Sequence, residues 1–244
     1  MNQDRWSRQV LIPGFGDEGQ LNLSESKVAV LGLGGIGGPA ALYLAAAGVG
    51  SLILVDRDVV EISNLNRQIL FCVKDLGISK AEAAGKRLLS LNPDLKVKIV
   101  TRDLAESDMF TLLKDCQFVL DCFDRNTDRL AVNRVCMKLG IPATHGFAQD
   151  FSGEIFTAIP GKSACLACTL GENFPELDVT PVMGVTTGLI GTAMAATAIL
   201  NLTQLGDPAI GERIIYDLAF AEIIKIPIKK NIHCPVCMDV RAES

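Results

Sequence analysis

Short apolar runs and helical stretches alternate through the first 146 residues of the chain. Lys27 to Leu31 (KVAVL) is an apolar run that ends in a cluster of glycines, and the small-residue stretch Pro39 to Ala47 reads as a helix stopped by Gly48. Ser51 to Val55 (SLILV) is a second strand, closed by Asp56. A strand, a helix and a strand in this order imply a parallel pair. A polar stretch from Glu61 to Gln68 precedes a helix from about Ala81 to Leu91, whose start carries the capping-box pattern of Ser79 with Glu82 and whose end is Asn92-Pro93. Lys96 to Val100 then reads as a strand, Ala105 to Lys114 as a helix, and Phe118 to Leu120 as a buried strand running into Asp121-Cys122-Phe123-Asp124. Arg129 to Leu139 is helical with Gly140 as its stop, and Ile141 to His145 is a further strand. Alternation of this kind predicts an α/β fold with a doubly wound, mostly parallel sheet.

The pattern changes after that point. Gly153 to Ile159, Ile214 to Asp217 and Glu222 to Ile228 read as strands with no helix between neighbours, which predicts an antiparallel C-terminal extension of the sheet. Between them lie a loop with Pro and Asp, Gly171 to Pro181, and an uncharged stretch from Val182 to Leu202. That stretch is long enough to cross a bilayer. Its many Gly, Ala and Thr residues and the lack of flanking Lys/Arg asymmetry favour a helix packed inside a protein or a dimer. One domain over 1–244 is expected, with halves 1–146 and 147–244.

Composition narrows the function. A net charge of -5 argues against a protein that holds nucleic acid through its phosphates. Met1 to Gln9 is polar, carries Asp4, Arg5 and Arg8, and lacks an apolar signal core, so the expected location is cytoplasmic. Eight cysteines in a reducing compartment are read as buried apolar residues or, where closely paired, as metal or redox sites.

Gly32, Gly34, Gly35 and Gly37 form a GxGxxG loop between a strand and a helix, and Asp56 lies about 24 residues on, at the end of the next strand. Glycines there let phosphate oxygens approach backbone N–H groups, and the carboxylate accepts from ribose hydroxyls. The alternative is a glycine turn kept for close packing. The loop does not choose between a dinucleotide and ATP. Asn64, Arg67, Gln68 and Lys80 follow in one loop-helix segment, and two fixed cations near a helix N-terminus suit a triphosphate. Taken singly, Arg67 and Lys80 are more often solvated surface charges. Asp121 and Asp124 end a central strand and either hold Mg²⁺ or cap the next helix. Cys165-x-x-Cys168 and Cys234-x-x-Cys237 supply four thiolates with the spacing of a closed, structural Zn²⁺ site. The 65 intervening residues mean that such a metal staples the C-terminal region to the middle of the chain. His233 is an alternative ligand, and Cys72, Cys116, Cys122 and Cys136 read as small buried hydrophobes.

Taken together, Arg8 with Gln9, the glycine loop, Asp56, Asn64-x-x-Arg67-Gln68, Lys80, Asp124 and the two cysteine pairs closely resemble the ThiF/MoeB/HesA family of ubiquitin-activating-like adenylyltransferases. The resemblance covers nearly the whole chain. It implies a Rossmann-like ATP fold, a homodimer, structural zinc, and MgATP-dependent adenylation of the terminal glycine carboxylate of a small ubiquitin-like sulfur carrier ending in Gly-Gly. By position it implies Asp56 as ribose ligand, Asn64, Arg67 and Lys80 as phosphate ligands, and Asp124 as the magnesium-binding acid. Arg8, expected on a flexible N-terminal segment, resembles the arginine given to the neighbouring subunit's phosphates. The second half becomes the zinc-stapled, carrier-binding half. Relatives that bond covalently to the carrier use a cysteine in the crossover loop, whereas Glu172 to Met183 has none and Thr180 lies near its place. The chain is therefore expected to stop at the acyl-adenylate, like the molybdopterin-type members. Two rivals are an NAD-dependent oxidoreductase, which leaves Arg67, Lys80 and the cysteine pairs unexplained, and a silent binding module, which the presence of Arg8, Lys80 and Asp124 disfavours.

Overall fold

The structure, a computed structural model, describes residues 5–170, 180–206, 208 and 210–240. Its strands are β1 (Lys27–Leu31), β2 (Ser51–Val55), β3 (Lys96–Val100), β4 (Phe118–Asp121), β5 (Ala143–Gln149), β6 (Ser152–Ala158), β7 (Glu212–Asp217) and β8 (Glu222–Pro227). They form one sheet in the order β3-β2-β1-β4-β5-β6-β7-β8. Pairing is parallel from β3 to β5 and antiparallel from β5 to β8. Both parts of the expected sheet are present. The boundary near residue 146 falls inside β5, which pairs in parallel with β4 and antiparallel with β6.

Strand periodicity divides the core. Val28, Val30, Leu52, Leu54, Phe118 and Leu120 face one way, and Ala29, Leu31, Ile53, Val55 and Val119 face the other. The first layer is covered by α3 (Gly37–Ala47), α4 (Lys80–Leu91) and α8 (Gly184–Thr203), the second by α5 (Glu106–Leu113) and α6 (Asn126–Leu139). The strand order runs outward in opposite directions from the parallel neighbours β1 and β4, so their carboxyl ends frame a crevice at this switch point.

The uncharged helix α8 is a core helix. Ile190, Met194, Ala195 and Ala198 are buried against α3 and the sheet. Gly191 is required there, because a Cβ would overlap the Ile36 carbonyl oxygen.

Three helices escape the sequence pattern: α1 (Ser7–Val10), α2 (Gly16–Glu25) and α7 (Leu166–Leu170). Helix α2 (GDEGQLNLSE) is polar and buries only Gly19, Gln20 and Leu23, so tertiary contact rather than an apolar stripe holds it. The N-terminal segment also differs from the flexible arm expected. Trp6 Nε1 donates to Ala46 O at 2.9 Å, and Gln9 Nε2 and Gln20 Nε2 each donate to Ala47 O at 3.0 Å. These bonds satisfy the carbonyls that α3 leaves open at its C-terminus, and they fasten α1 to that end. Arg8, on α1, is exposed.

Candidate active site

A cavity of about 1260 Å³ opens at the carboxyl ends of the central strands. Gly32, Gly34 and Gly35 line it, while Gly37 is packed behind them. The four glycines have different reasons to be glycine. Gly32 has φ +89°, and a Cβ on it would meet Cys122 O at 2.6 Å; one on Gly37 would overlap Gly32 O; one on Gly35 would meet Thr187 Oγ1 at 2.7 Å. These three serve close packing. Gly34 is the open one, since a Cβ there meets nothing nearer than Gln68 Nε2 at 3.6 Å. Gln68 faces this cradle, is 4% exposed, and its Oε1 is buried with no hydrogen-bond partner. An orphaned buried acceptor beside an open glycine is a mark of a site built for a ligand.

Asp56 lies beside the loop, 7% exposed. Its Oδ2 accepts from Leu33 N–H at 2.7 Å and its Oδ1 from Asp58 N–H at 2.9 Å. One loop amide is therefore committed to the carboxylate instead of to phosphate. Each oxygen keeps a further lone pair for a hydroxyl. Burial raises the Asp56 pKa above the usual carboxylate value, against the opposing pull of those two N–H bonds and of Lys80.

Lys80 is the first residue of α4, 6% exposed, with Nζ 2.9 Å from Asp58 Oδ2. Ser79 accepts from Glu82 N–H at 3.5 Å, so the expected cap is present and the helix begins one residue earlier than the pattern suggests. Arg67 lines the cavity with Nη1 on Ser63 O at 3.0 Å and Asn66 Oδ1 at 3.1 Å. Asn64 does not line the cavity. Its Oδ1 accepts from Glu61 N–H at 3.1 Å and closes the 3-10 turn Ile62–Asn64 that carries Arg67 and Gln68 inward.

Asp124 is exposed to the cavity, and α6 begins at N-cap Arg125 with no side-chain cap bond, so Asp124 is not a helix cap. Asp121 is committed elsewhere: it is fully buried, Oδ2 lies 2.6 Å from His145 Nδ1, and Oδ1 accepts from Phe123 N–H at 3.3 Å. Arg8 is absent from the cavity lining.

The cavity continues past the strand ends onto the face of β5, β6 and β7, where Phe147, Gln149, Ser152, Glu154, Arg213 and Ile215 line it. Sequence reading missed this half. Glu154 and Arg213 are 59 residues apart, and only the antiparallel register, with Glu154 opposite Ile215, brings them into an ion pair. Arg129 was also missed; it stacks 4.0 Å from the Phe147 ring centroid and donates to Gly146 O at 2.6 Å. Asp58 had a usable signal, being two residues beyond Asp56 in the same loop. Of the crossover loop, residues 171–179 lie outside the described residues, and Thr180 lines the cavity.

The four paired cysteines converge. Sγ separations are 3.9 Å for Cys165–Cys168, 3.6 Å for Cys165–Cys234 and 3.5 Å for Cys168–Cys237, and all four sulfurs lie within 4.8 Å of one another. A tetrahedron with Zn–S of about 2.3 Å has edges of about 3.8 Å, so the set fits zinc. Burial pushes the Cys165 thiol up to about 11 and raises Cys237 as well, whereas at Cys168 hydrogen bonds outweigh burial and lower the thiol. His233 is exposed and stands outside the cluster. Cys116, Cys122 and Cys136 are buried as expected, whereas Cys72 is exposed, with Sγ 3.1 Å from Asp75 Oδ2.

A ligand crevice at the carboxyl ends of a doubly wound sheet, with an open glycine, an acidic strand end and a buried lysine around it, makes this a nucleotide-binding protein of the open α/β class. Within that class the chain belongs to the ThiF family, whose model matches residues 6–236. It is 38% identical to the SAMP-activating enzyme E1 of Haloferax volcanii over 239 residues, 96% of this chain and 88% of that one. To the sulfur carrier protein ThiS adenylyltransferase of Escherichia coli it is 36% identical over 96% of this chain and 94% of that one. It also matches the adenylyltransferase and sulfurtransferase MOCS3 of Drosophila grimshawi at 40% identity, over 96% of this chain and 54% of that longer one. The fold is shared with Escherichia coli MccB solved with ATP, at TM-score 0.85 and 24% identity, covering 97% of this chain and 75% of MccB.

Proposed function

We propose that the protein is an ATP-dependent adenylyltransferase that activates the C-terminal glycine carboxylate of a small ubiquitin-like sulfur carrier. The observation that carries this reading is the single continuous cavity. One end has the glycine cradle, Asp56, Arg67 and Lys80, and the other is a floor of strand residues that includes Phe147, Gln149, Ser152, Glu154, Arg213 and Ile215. Its volume of about 1260 Å³ exceeds the range of about 300–1,000 Å³ usual for one small ligand, as two substrates require. Relatives named for adenylylating sulfur carriers match over almost their full length.

In this reading Asp56 holds the ribose, Gly34 admits the phosphates, and Arg67 and Lys80 neutralise them. Lys80 leaves Asp58 for the phosphates, which costs little because Asp58 is half-exposed and water solvates it. Asp124 would hold Mg²⁺, which supplies charge neutralisation at the phosphates when bound. The carrier carboxylate forms a bond to the α-phosphorus as the bond to the bridging oxygen of pyrophosphate breaks, and that electron pair leaves on pyrophosphate. The nucleophile is already an anion at neutral pH, so no general base is needed. Positioning and charge neutralisation supply the rate.

The active site is completed across a cytoplasmic homodimer. Gln9 is bonded to the C-terminal end of α3 and the glycine loop is at the other, so about 16 Å of helix at 1.5 Å per residue separates Arg8 from its own phosphate cradle. Arg8 thus serves a neighbour. The uncharged outer flank of α8, where Val185 and Ala196 are exposed, suits the subunit contact.

Incubating the protein with MgATP and small proteins ending in Gly-Gly, then weighing the products by mass spectrometry, tests the reading. The expected product is an AMP adduct on one carrier, with pyrophosphate released and no carrier bonded to this chain. Absence of any AMP adduct with all such carriers would overturn it. Separately, metal analysis of purified protein should find about one Zn²⁺ per chain, and Cys168→Ser should lose most of it while the nucleotide end still binds ATP.

A further inference from the structure

The loops after β3 and β4 meet above the nucleotide crevice. Strand order places β2 and β1 between β3 and β4, so the carboxyl ends of those two strands are three inter-strand steps apart, about 14 Å at roughly 4.8 Å per step. Asp103, three residues past β3, nevertheless accepts from Arg125, four residues past β4, with Nη2 3.4 Å from Oδ1. The bond arches over the ends of β2 and β1, where Asp56 and the glycine loop lie. Arg57, from the loop after β2, reaches the same carboxylate, with Nη1 2.9 Å from Oδ1 and 3.0 Å from Oδ2. Arg125 is steadied by Asp128, with Nε 2.7 Å from Oδ2, and Arg102 Nη1 holds the Asp103 carbonyl at 3.0 Å. All of Arg57, Asp103 and Arg125 line the cavity.

We propose that Arg57, Asp103 and Arg125 form an ion-pair strap across the nucleotide crevice that retains the nucleoside end of ATP and slows its release. The strap rests on the reading of the cavity as a nucleotide site. Side-chain exposures of 41% for Arg57, 66% for Asp103 and 43% for Arg125 keep each contact weak enough to open, and the two arginines on one carboxylate give it two hinges. Asp103 is a positioning residue: it acts through the arginines and carries no step of the chemistry. A triphosphate released from Arg67 and Lys80 must still pass this bridge.

The test is the dissociation rate of MgATP from the full chain, read by displacing a fluorescent ATP analogue in a stopped-flow instrument without carrier. Asp103→Asn should raise the rate about fivefold, the weight of about one exposed charge pair, with a similar rise in the KM for ATP and a smaller change in kcat. Asp103→Glu, which keeps the charge, should restore most of the retention. Going from about 0.05 M to about 1 M NaCl should raise the wild-type rate more steeply than that of Asp103→Asn, since screening removes the strap only where it exists. Arg125→Gln combined with Asp103→Asn should be no faster than Asp103→Asn alone. Rates for Asp103→Asn equal to wild type at both salt concentrations would overturn the strap and leave the nucleotide site intact. Failure of the wild-type chain to bind MgATP would instead overturn the reading on which the strap rests.

Discussion

Asp124→Ala should lower carrier-dependent ATP–pyrophosphate exchange by about 100-fold or more, and Lys80→Ala should do the same, the scale of losing one charge-stabilising contact in a transition state. Both side chains line the cavity, and neither holds up the fold alone. Asp124 is exposed and caps nothing, so its removal leaves α6 untouched. Lys80 is buried, but its partner Asp58 has a side chain 54% exposed and takes up water when the ammonium is lost. Circular dichroism of both variants should therefore match wild type. The effects should also differ in kind. Asp124→Ala should be partly relieved by raising Mg²⁺, whereas Lys80→Ala should not respond. Near-normal exchange in either folded variant removes that residue from the mechanism.

Co-expressing Arg8→Ala with Asp124→Ala chains should restore activity from two inactive parents. If α1 serves the neighbouring subunit, the two substitutions damage different contributions to one shared site. In a mixed dimer one site then carries both defects and the other carries neither. Random pairing makes half of the dimers mixed, so activity should return to about a quarter of wild type on a two-fold symmetric model. Pyrophosphate exchange on the unsorted co-expressed chains measures it, and mixed dimers isolated with tags of two kinds should show about half of wild type. Mixed dimers as inactive as either parent would place Arg8 within its own chain or outside the reaction. The fastening of α1 to the C-terminal end of α3 bears on this test, because it holds α1 at the opposite end of that helix from the glycine loop.

The site was legible wherever one short segment held the whole signal. The glycine loop, Asp56, Lys80 with its Ser79 cap, and Asp124 each sit at the end of a strand or the start of a helix whose apolar pattern is strong. The cysteine pairs were legible for a different reason, since two Cys-x-x-Cys pairs carry the spacing of a closed Zn²⁺ site. Asn64 shows the limit of such reading. Its place in the motif suggested a phosphate ligand, yet its carbonyl oxygen is bound to the Glu61 amide and its visible contribution is to shape the turn.

Periodicity, capping and spacing within about fifteen positions dictate the alternation of elements, the switch from parallel to antiparallel strands and most of the residues at the crevice. Tertiary structure alone decided that α2 is a helix, that Asp121 pairs with His145 across neighbouring strands, and that Glu154 meets Arg213. It also decided that three loops distant in the chain close over one crevice through Asp103. These depend on the order and register of strands, and register is fixed by the summed burial of every strand face at once, a quantity that no single segment carries.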